Sequence, residues 1–184
     1  MSGERLYTLG HSDRSSEAFI GLLKSSGVQI LVDIRAQPRS SRHPHFNEDL
    51  LRGALTAVDI QYHWAGRPLG GHRTPRADSR HSALSEESLR AYADHMDSDA
   101  FRKAAVQLLG LARRAPTAVL CAERDPLQCH RSLLADYLTL QGVEVHHLID
   151  IGDTRPHQLR PEARREWQQL VYDRHTTAAL PLGE

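Results

Sequence analysis

Short buried strands alternate with helices along most of this chain, and this order restricts the fold more than any other feature. Five apolar segments have the length and composition of β-strands: residues 6–10, 28–34, 60–64, 117–122 and 143–149. Apolar residues at helical spacing occupy the intervening segments. The pattern predicts an α/β fold, with a mostly parallel sheet of about five strands and helices on both faces in a Rossmann-like three-layer arrangement.

The same pattern predicts a single domain over residues 1–184, a length that is ordinary for one domain. Trp167, Leu170 and Val171 predict a C-terminal helix over about residues 161–175, followed by a loose tail. Residues 65–83 are rich in Gly, Pro and Arg and predict a long loop.

Charge and composition disfavour several classes of protein. The 23 basic residues are balanced by 23 acidic residues, which disfavours binding to nucleic acid through bulk charge. The 2 cysteines do not make the disulfide framework of a small secreted protein. No apolar run approaches the roughly 18 residues of a membrane span, so we expect no membrane association and a cytoplasmic location. The oligomeric state stays open.

Polar side chains follow the predicted strands at the point where each strand ends. These residues are His11, Ser12, Asp33, Arg35, Cys121, Glu123 and Asp150. The carboxyl ends of parallel strands meet at one edge of a sheet, where α/β proteins bind their ligands. The sequence therefore predicts a functional site at this edge.

Cys121 is the strongest single candidate in this group. It ends an apolar strand just before a helix that Asp125 and Pro126 predict, and a helix N-terminus lowers a thiol pKa. We expect Cys121 to act as a nucleophile in a cysteine-dependent transferase or hydrolase. His11 or His130 would serve as base or orienting group, and Asp33 and Glu123 would set protonation. An inert, buried Cys121 is the alternative.

Arginine side chains near this edge predict an anionic substrate. Arg35, Arg42 and Arg131 would bind it, with Ser12 and Ser40 in support, because the planar guanidinium suits carboxylate and phosphate oxygens. His130 immediately precedes Arg131. Adjacent residues on a helix are rotated by about 100° about its axis, so these two side chains cannot point the same way.

Two other interpretations use the same residues. His11, Cys121, Cys129 and His130 could ligate iron or zinc, although the sequence has no C-x2-C hook and no H-E-x-x-H motif. Residues 35–80 contain eight arginines against four acidic residues, and with nearby aromatic residues this patch suits a non-catalytic nucleic-acid-binding module. The partner is thus an anionic small molecule or a nucleic acid.

Several separated motifs resemble the domain-of-unknown-function 488 family. They are T-L-G-H-S-D-R-S at 8–15, L-V-D-I-R-A-Q-P-R-S at 31–40, F-N at 46–47, L-G-G at 69–71 and C-A-E-R-D-P-L-Q-C-H-R-S at 121–132. The likeness extends over about residues 8–150. It implies a bacterial or archaeal α/β protein and supplies no general reaction. The family's motif positions correspond here to His11, Ser12, Asp33, Arg35, Pro38, Ser40, Arg42, Cys121, Glu123, Cys129, His130 and Arg131.

Overall fold

The predicted strands assemble into one central sheet in the computed structural model, which describes residues 4–175. The six strands of the sheet are β1 (Arg5–Gly10), β2 (Ile30–Asp33), β3 (Gln61–Trp64), β4 (Thr117–Cys121), β5 (Glu144–Asp150) and β6 (Asp153–Pro156). Their order is β3-β2-β4-β1-β5-β6. All neighbours among the first five strands are parallel, and β6 is antiparallel at the edge.

Register brings the carboxyl ends of the central strands together. Gly10 of β1 lies beside Cys121 of β4, and Asp33 of β2 lies beside Leu120. Backbone hydrogen bonds continue past the strand ends, from His11 N to the Cys121 carbonyl at 3.0 Å. The residues that follow β1, β2 and β4 therefore begin from one edge of the sheet.

Helices cover both faces of the sheet. Successive residues of a strand point to opposite faces, and the central strands have apolar residues on both. The helices are α1 (Ser16–Ser25), α2 (Glu48–Thr56), α3 (Gly66–Leu69), α4 (Glu87–Met96), α5 (Asp99–Arg114) and α6 (Arg131–Leu140). Apolar residues of α1 and α2 pack with Leu9 and Leu31 on one face. Those of α4, α5 and α6 pack with Leu6 and Val32 on the other face. The predicted three-layer α/β fold is confirmed.

The predicted helix over residues 161–175 is wrong. This segment forms a two-stranded antiparallel hairpin of β7 (Ala163–Glu166) and β8 (Gln169–Tyr172). Trp167 turns the chain with a φ of 56° and is 90% exposed instead of docked. Tertiary contacts override the local helix propensity, since the Tyr172 hydroxyl donates to Asp136 at 2.8 Å. The predicted tail over residues 176–184 lies outside the described residues.

The predicted helix after Asp125 begins later than expected. Residues Pro126–Gln128 form a separate 3₁₀ turn, whose second amide, Leu127 N, donates to the Asp125 carboxylate at 2.9 Å. The α-helix proper starts at Arg131, so its amino end lies next to Cys129 and not at Cys121.

Within residues 4–175, none of the helices combines the length and the apolar character that crossing a bilayer requires.

Candidate functional site

A cavity of about 310 Å³ opens at the carboxyl edge of the sheet. Its walls come from the segments after β2 and β4, the glycine-rich segment after α3, the start of α4 and the residues before α6. The residues in the walls are Arg35, Ala36, Gln37, Arg39, Gly71, His72, Ser88, Leu89, Cys121, Ala122, Glu123, Gln128, Cys129 and His130. Four of the predicted site residues, Arg35, Cys121, Glu123 and His130, thus share one cavity with Cys129.

The two cysteines are in direct contact at the base of this site. Both are free thiols, and their sulfurs lie 3.0 Å apart, although Cys121 ends β4 and Cys129 precedes α6. A hydrogen bond from Cys129 lowers the pKa of Cys121 to about 7, and the Arg131 charge adds to this, whereas burial opposes it. The same contact and burial raise the pKa of Cys129. Cys121 is therefore the more acidic of the two thiols, and Cys129 is the one that keeps its proton.

Arg131 lies behind the sulfurs and not in the cavity. Its side chain is fully buried, and its Nη2 donates to the Arg124 carbonyl at 3.2 Å. Nε and Nη1 have no hydrogen-bond partner among the described residues. A buried cation without a carboxylate is costly, and the Cys121 thiolate is the anion whose pKa it lowers. Because the Arg131 side chain is buried outside the cavity walls, this geometry gives no support to its predicted role as a substrate ligand.

His130 lines the cavity, in contrast to its neighbour Arg131, as their angular separation on the helix predicted. Burial lowers the pKa of His130 to about 4, and the Arg131 charge adds to this, so the ring is neutral at neutral pH. Its Nδ1 lies 3.5 Å from the Cys129 sulfur. Its Nε2 is buried and has no hydrogen-bond partner among the described residues.

Arg35 is held rigidly in the cavity wall. The Asp33 carboxylate accepts hydrogen bonds from Arg35 Nε at 2.9 Å and from Nη2 at 2.7 Å. Asp33 also accepts the hydroxyl of Tyr62 at 2.6 Å, and Trp64 Nε1 donates to the Arg35 carbonyl at 2.9 Å. Although burial alone would lower it, the Asp33 carboxylate raises the pKa of Arg35. Nη1 remains a donor without a partner among the described residues.

At two glycines of the motifs, neighbouring atoms leave no room for a side chain. A Cβ at Gly10 would lie 1.7 Å from the Glu123 carbonyl oxygen, so only glycine lets the segment after Cys121 pass over the end of β1. A Cβ at Gly71 would lie 2.4 Å from Nδ1 of His130. These close approaches fix the backbone and the ring on either side of the two sulfurs.

His11 and Ser12 lie near this edge but outside the cavity. The His11 ring stacks on Phe46 with 4.4 Å between ring centroids, and its Nδ1 donates to the Ser12 carbonyl at 2.9 Å. Burial lowers the pKa of His11 to about 4, with a smaller opposing contribution from that hydrogen bond. Ser12 adopts a positive φ of 49° and donates its N–H to the Ala122 carbonyl at 2.9 Å. The predicted base role of His11 and the predicted anion contact of Ser12 therefore have no support in this geometry.

Ser40 and Arg42 are also outside the cavity. Ser40 shapes its loop, since its N–H donates to Asn47 Oδ1 at 2.7 Å and its hydroxyl accepts from His43 N at 3.0 Å. Arg42 is exposed. The predicted substrate contacts of both residues have no support in this geometry.

Sequence reasoning missed several polar residues in the cavity walls, namely Gln37, Arg39, His72, Ser88 and Gln128. Gln37 and Arg39 stand in the L-V-D-I-R-A-Q-P-R-S motif, so the motif itself was the signal. Ser88 and His72 carry no such signal. Tyr62, the second partner of Asp33, appears in the sequence only as an alternating residue of a strand.

Metal binding receives no support from this arrangement. Among residues 4–175, no group of three or more His, Cys, Asp and Glu side chains is placed to hold a metal ion. Of the four suggested ligands, Cys121, Cys129 and His130 are close together, and His11 is stacked on Phe46.

Comparison with known proteins supplies a family. Residues 15–138 match the model of a family described as Domain of unknown function DUF488, a segment that holds Arg35 and both cysteines and begins after Ser12. Neither a curated protein nor a solved structure matches the chain. Since the family match covers more than half of the chain and agrees with the motifs, the protein belongs to the DUF488 family.

Proposed function

We propose that this protein is an enzyme in which the Cys121 thiolate attacks an anionic small molecule held by Arg35. The contact between the Cys121 and Cys129 sulfurs, 3.0 Å apart in the wall of a cavity, is the observation that carries the proposal. Thiolates, and not thiols, are the nucleophiles of cysteine enzymes. A pKa of about 7 leaves a large thiolate fraction at neutral pH without a separate base.

The substrate class follows from the charges and the unpaired groups of the walls. Arg35, Arg39 and His72 line the cavity, and Arg35 Nη1 is a donor that Asp33 does not use. A guanidinium with one free nitrogen favours a carboxylate or phosphate oxygen. The cavity volume of about 310 Å³ is at the small end of ligand sites, which span roughly 300–1,000 Å³. A phosphate-bearing or carboxylate-bearing small molecule, a nucleotide fragment included, suits this space.

His130 adds a requirement for the substrate. Its Nε2 is buried without a partner among the described residues. With the Cys129 proton on the side of Cys121, Nδ1 carries the ring proton and Nε2 accepts, which favours a substrate with a hydroxyl or N–H near the reacting atom. In the covalent step, the Cys121 sulfur forms a bond to the electrophilic atom while Arg35 binds the anionic oxygen; the bond from that atom to the leaving group breaks, and the leaving group departs with the bonding electrons and takes a proton from solvent. Water or a second substrate then attacks the same atom and loses a proton to solvent, the bond to sulfur breaks, and the Cys121 thiolate is restored. Cysteine-dependent transfer or hydrolysis is the reaction class.

Alkylation by two reagents of similar size and different charge tests this function. Iodoacetate resembles an anionic substrate and iodoacetamide its neutral counterpart. Hydrogen bonds to charged groups contribute about 1.5–3 kcal/mol, so we expect the iodoacetate-to-iodoacetamide rate ratio at Cys121 to fall about tenfold or more in Arg35→Lys. Lysine keeps a cation for Asp33 and has no second nitrogen for the cavity.

The exposed Arg42 provides the matched control, because Arg42→Gln removes one positive charge outside the cavity. Its rate ratio should remain that of the unaltered protein. Equal ratios in all three proteins, or modification of Cys129 alone, would contradict the proposal.

A further inference from the structure

We infer that Cys129 is a resolving thiol and that the pair reduces hydroperoxides, with a Cys121–Cys129 disulfide as the oxidised product. The inference concerns electron transfer from the two sulfurs to a peroxide, which the anion-directed attack proposed above does not require. It starts from their separation of 3.0 Å, only about 1 Å longer than a disulfide bond.

The surroundings of the two sulfurs favour Cys121 over Cys129 as the sulfur that attacks the peroxide. Cys129 Sγ accepts the N–H of Arg131 at 3.5 Å and lies 3.5 Å from His130 Nδ1, so it is held in place while its proton faces Cys121. Cys121 lines the cavity, and the hydrogen bond from Cys129 together with the Arg131 charge lowers its pKa, whereas the pKa of Cys129 is raised. Cys121 is therefore the attacking sulfur, and Cys129 is positioned for the second step.

A hydroperoxide satisfies both unpaired groups of the cavity. Its O–H donates to the His130 Nε2 acceptor, and the oxygen that departs with negative charge accepts from Arg35 Nη1. Donors aimed at the atom where charge develops are the strongest contributors to catalysis. Arg35, His130 and Cys121 all belong to the walls of the same cavity.

The chemistry balances in two steps. The Cys121 thiolate attacks one peroxide oxygen, so that an S–O bond forms, the O–O bond breaks, and the alkoxide or hydroxide leaves and takes a proton from solvent. The Cys129 thiol then attacks the Cys121 sulfenic acid, an S–S bond forms, the S–O bond breaks, and water leaves with the thiol proton. The two sulfurs supply two electrons, and the peroxide becomes an alcohol and water. An external thiol restores the dithiol by disulfide exchange.

Hydrogen peroxide and the full chain provide the test. The fully reduced protein is treated at neutral pH, quenched and mapped by mass spectrometry. We expect loss of both thiols with an intramolecular Cys121–Cys129 link that dithiothreitol reverses. The rate should exceed that of Cys129 in Cys121→Ser by about a hundredfold, as expected for a thiolate with aligned donors.

Cys129→Ser separates the two steps, because the serine hydroxyl still donates to Cys121 but cannot form a disulfide. In this variant we expect Cys121 sulfenic acid, trapped by dimedone, to accumulate without a disulfide. Slow oxidation of Cys121, links between chains, or overoxidation of Cys121 with Cys129 still reduced would overturn the inference. Peptide mapping of the unaltered protein decides the matter even if the variant does not fold. The alkylation ratio is independent of peroxide, so either proposal can fail alone.

Discussion

The carboxylate of Asp33 fixes Arg35 through two of its three guanidinium nitrogens, with contacts of 2.9 Å from Nε and 2.7 Å from Nη2. The third nitrogen, Nη1, is buried and has no hydrogen-bond partner among the described residues, in a side chain that belongs to the cavity wall. The orientation of that donor depends on Asp33, and Asp33 depends on its other partner, Tyr62, at 2.6 Å.

Tyr62→Phe should therefore loosen Arg35 without removing it. The variant leaves a buried Asp33 oxygen with one partner fewer, which costs about 1.5–3 kcal/mol of unfolding free energy for a hydrogen bond to a charged group. Urea denaturation measures this cost, and the iodoacetate-to-iodoacetamide ratio at Cys121 should fall together with it. A stable variant with an unchanged ratio would show that Tyr62 does not position Arg35.

The alkylation rate of Cys121 should depend on pH with an inflection near 7, since its pKa is lowered to about 7 by the Cys129 hydrogen bond and the Arg131 charge. Cys129→Ala removes the strongest of these effects, so the inflection should move upward, toward the ordinary thiol value of about 8.5. Iodoacetamide labelling across pH, resolved by peptide, measures both. An inflection that stays in place in the alanine variant would assign the low pKa to another cause.

Gly10→Ala should destabilise the fold strongly. The added Cβ would lie 1.7 Å from the Glu123 carbonyl oxygen, and overpacking of this kind costs typically about 1–3 kcal/mol or more. Gly53, in the middle of α2, has nothing within 4 Å of its added Cβ and is the matched control. Gly53→Ala should stabilise by about 0.5–1 kcal/mol because alanine favours a helix. Equal effects in urea denaturation would contradict the close approach at Gly10.

Acid should unfold the protein through its buried neutral histidines. His147 accepts from the Thr8 hydroxyl at 2.6 Å and donates to His157 at 2.9 Å, and His157 in turn donates to Asp136 at 2.7 Å. Burial, followed by the neighbouring His157 and Arg131, lowers the pKa of His147 to about 3 from 6.5. His147 therefore binds a proton more readily in the unfolded chain than in the folded one. Its contribution to the free energy of unfolding is complete above about pH 6.5 and is lost as the pH falls toward about 3.

His147→Gln keeps one donor and one acceptor in this chain of hydrogen bonds and removes the titrating group. The variant should lose less unfolding free energy in this pH range, by up to about 1.4 kcal/mol per pH unit. Urea denaturation at a series of pH values gives the slopes. Parallel slopes for the two proteins would assign the acid sensitivity to other groups.

The sheet could be predicted from the sequence because each central strand is buried on both faces and is nearly continuous in apolar residues. Residues 117–122 illustrate this, since β4 covers Thr117–Cys121. Residues 163–172 show the opposite case: Arg, Glu and Gln favour a helix locally, and only contacts such as Tyr172 with Asp136 specify the hairpin. Local propensity contains no information about those distant partners.

The site was predictable to the same extent. Parallel strands imply that Asp33, Arg35 and Cys121 start from one edge, and the register confirms this placement. The contact of Cys129 with Cys121 depends on where α6 begins, and the 3₁₀ turn that delays it has the same Asp-Pro signal as a helix start. Burial of Arg131 depends on packing against Arg124 and the sheet, which spacing cannot specify.

The most direct measurement of the central claim is a crystal structure of the protein after stoichiometric treatment with iodoacetate. The account predicts a carboxymethyl group on the Cys121 sulfur, with a carboxylate oxygen within hydrogen-bond distance of Arg35 Nη1 and with Asp33 still bound to the other two nitrogens. A carboxymethyl group on Cys129 instead, or one on Cys121 whose carboxylate points to solvent away from Arg35, would contradict it.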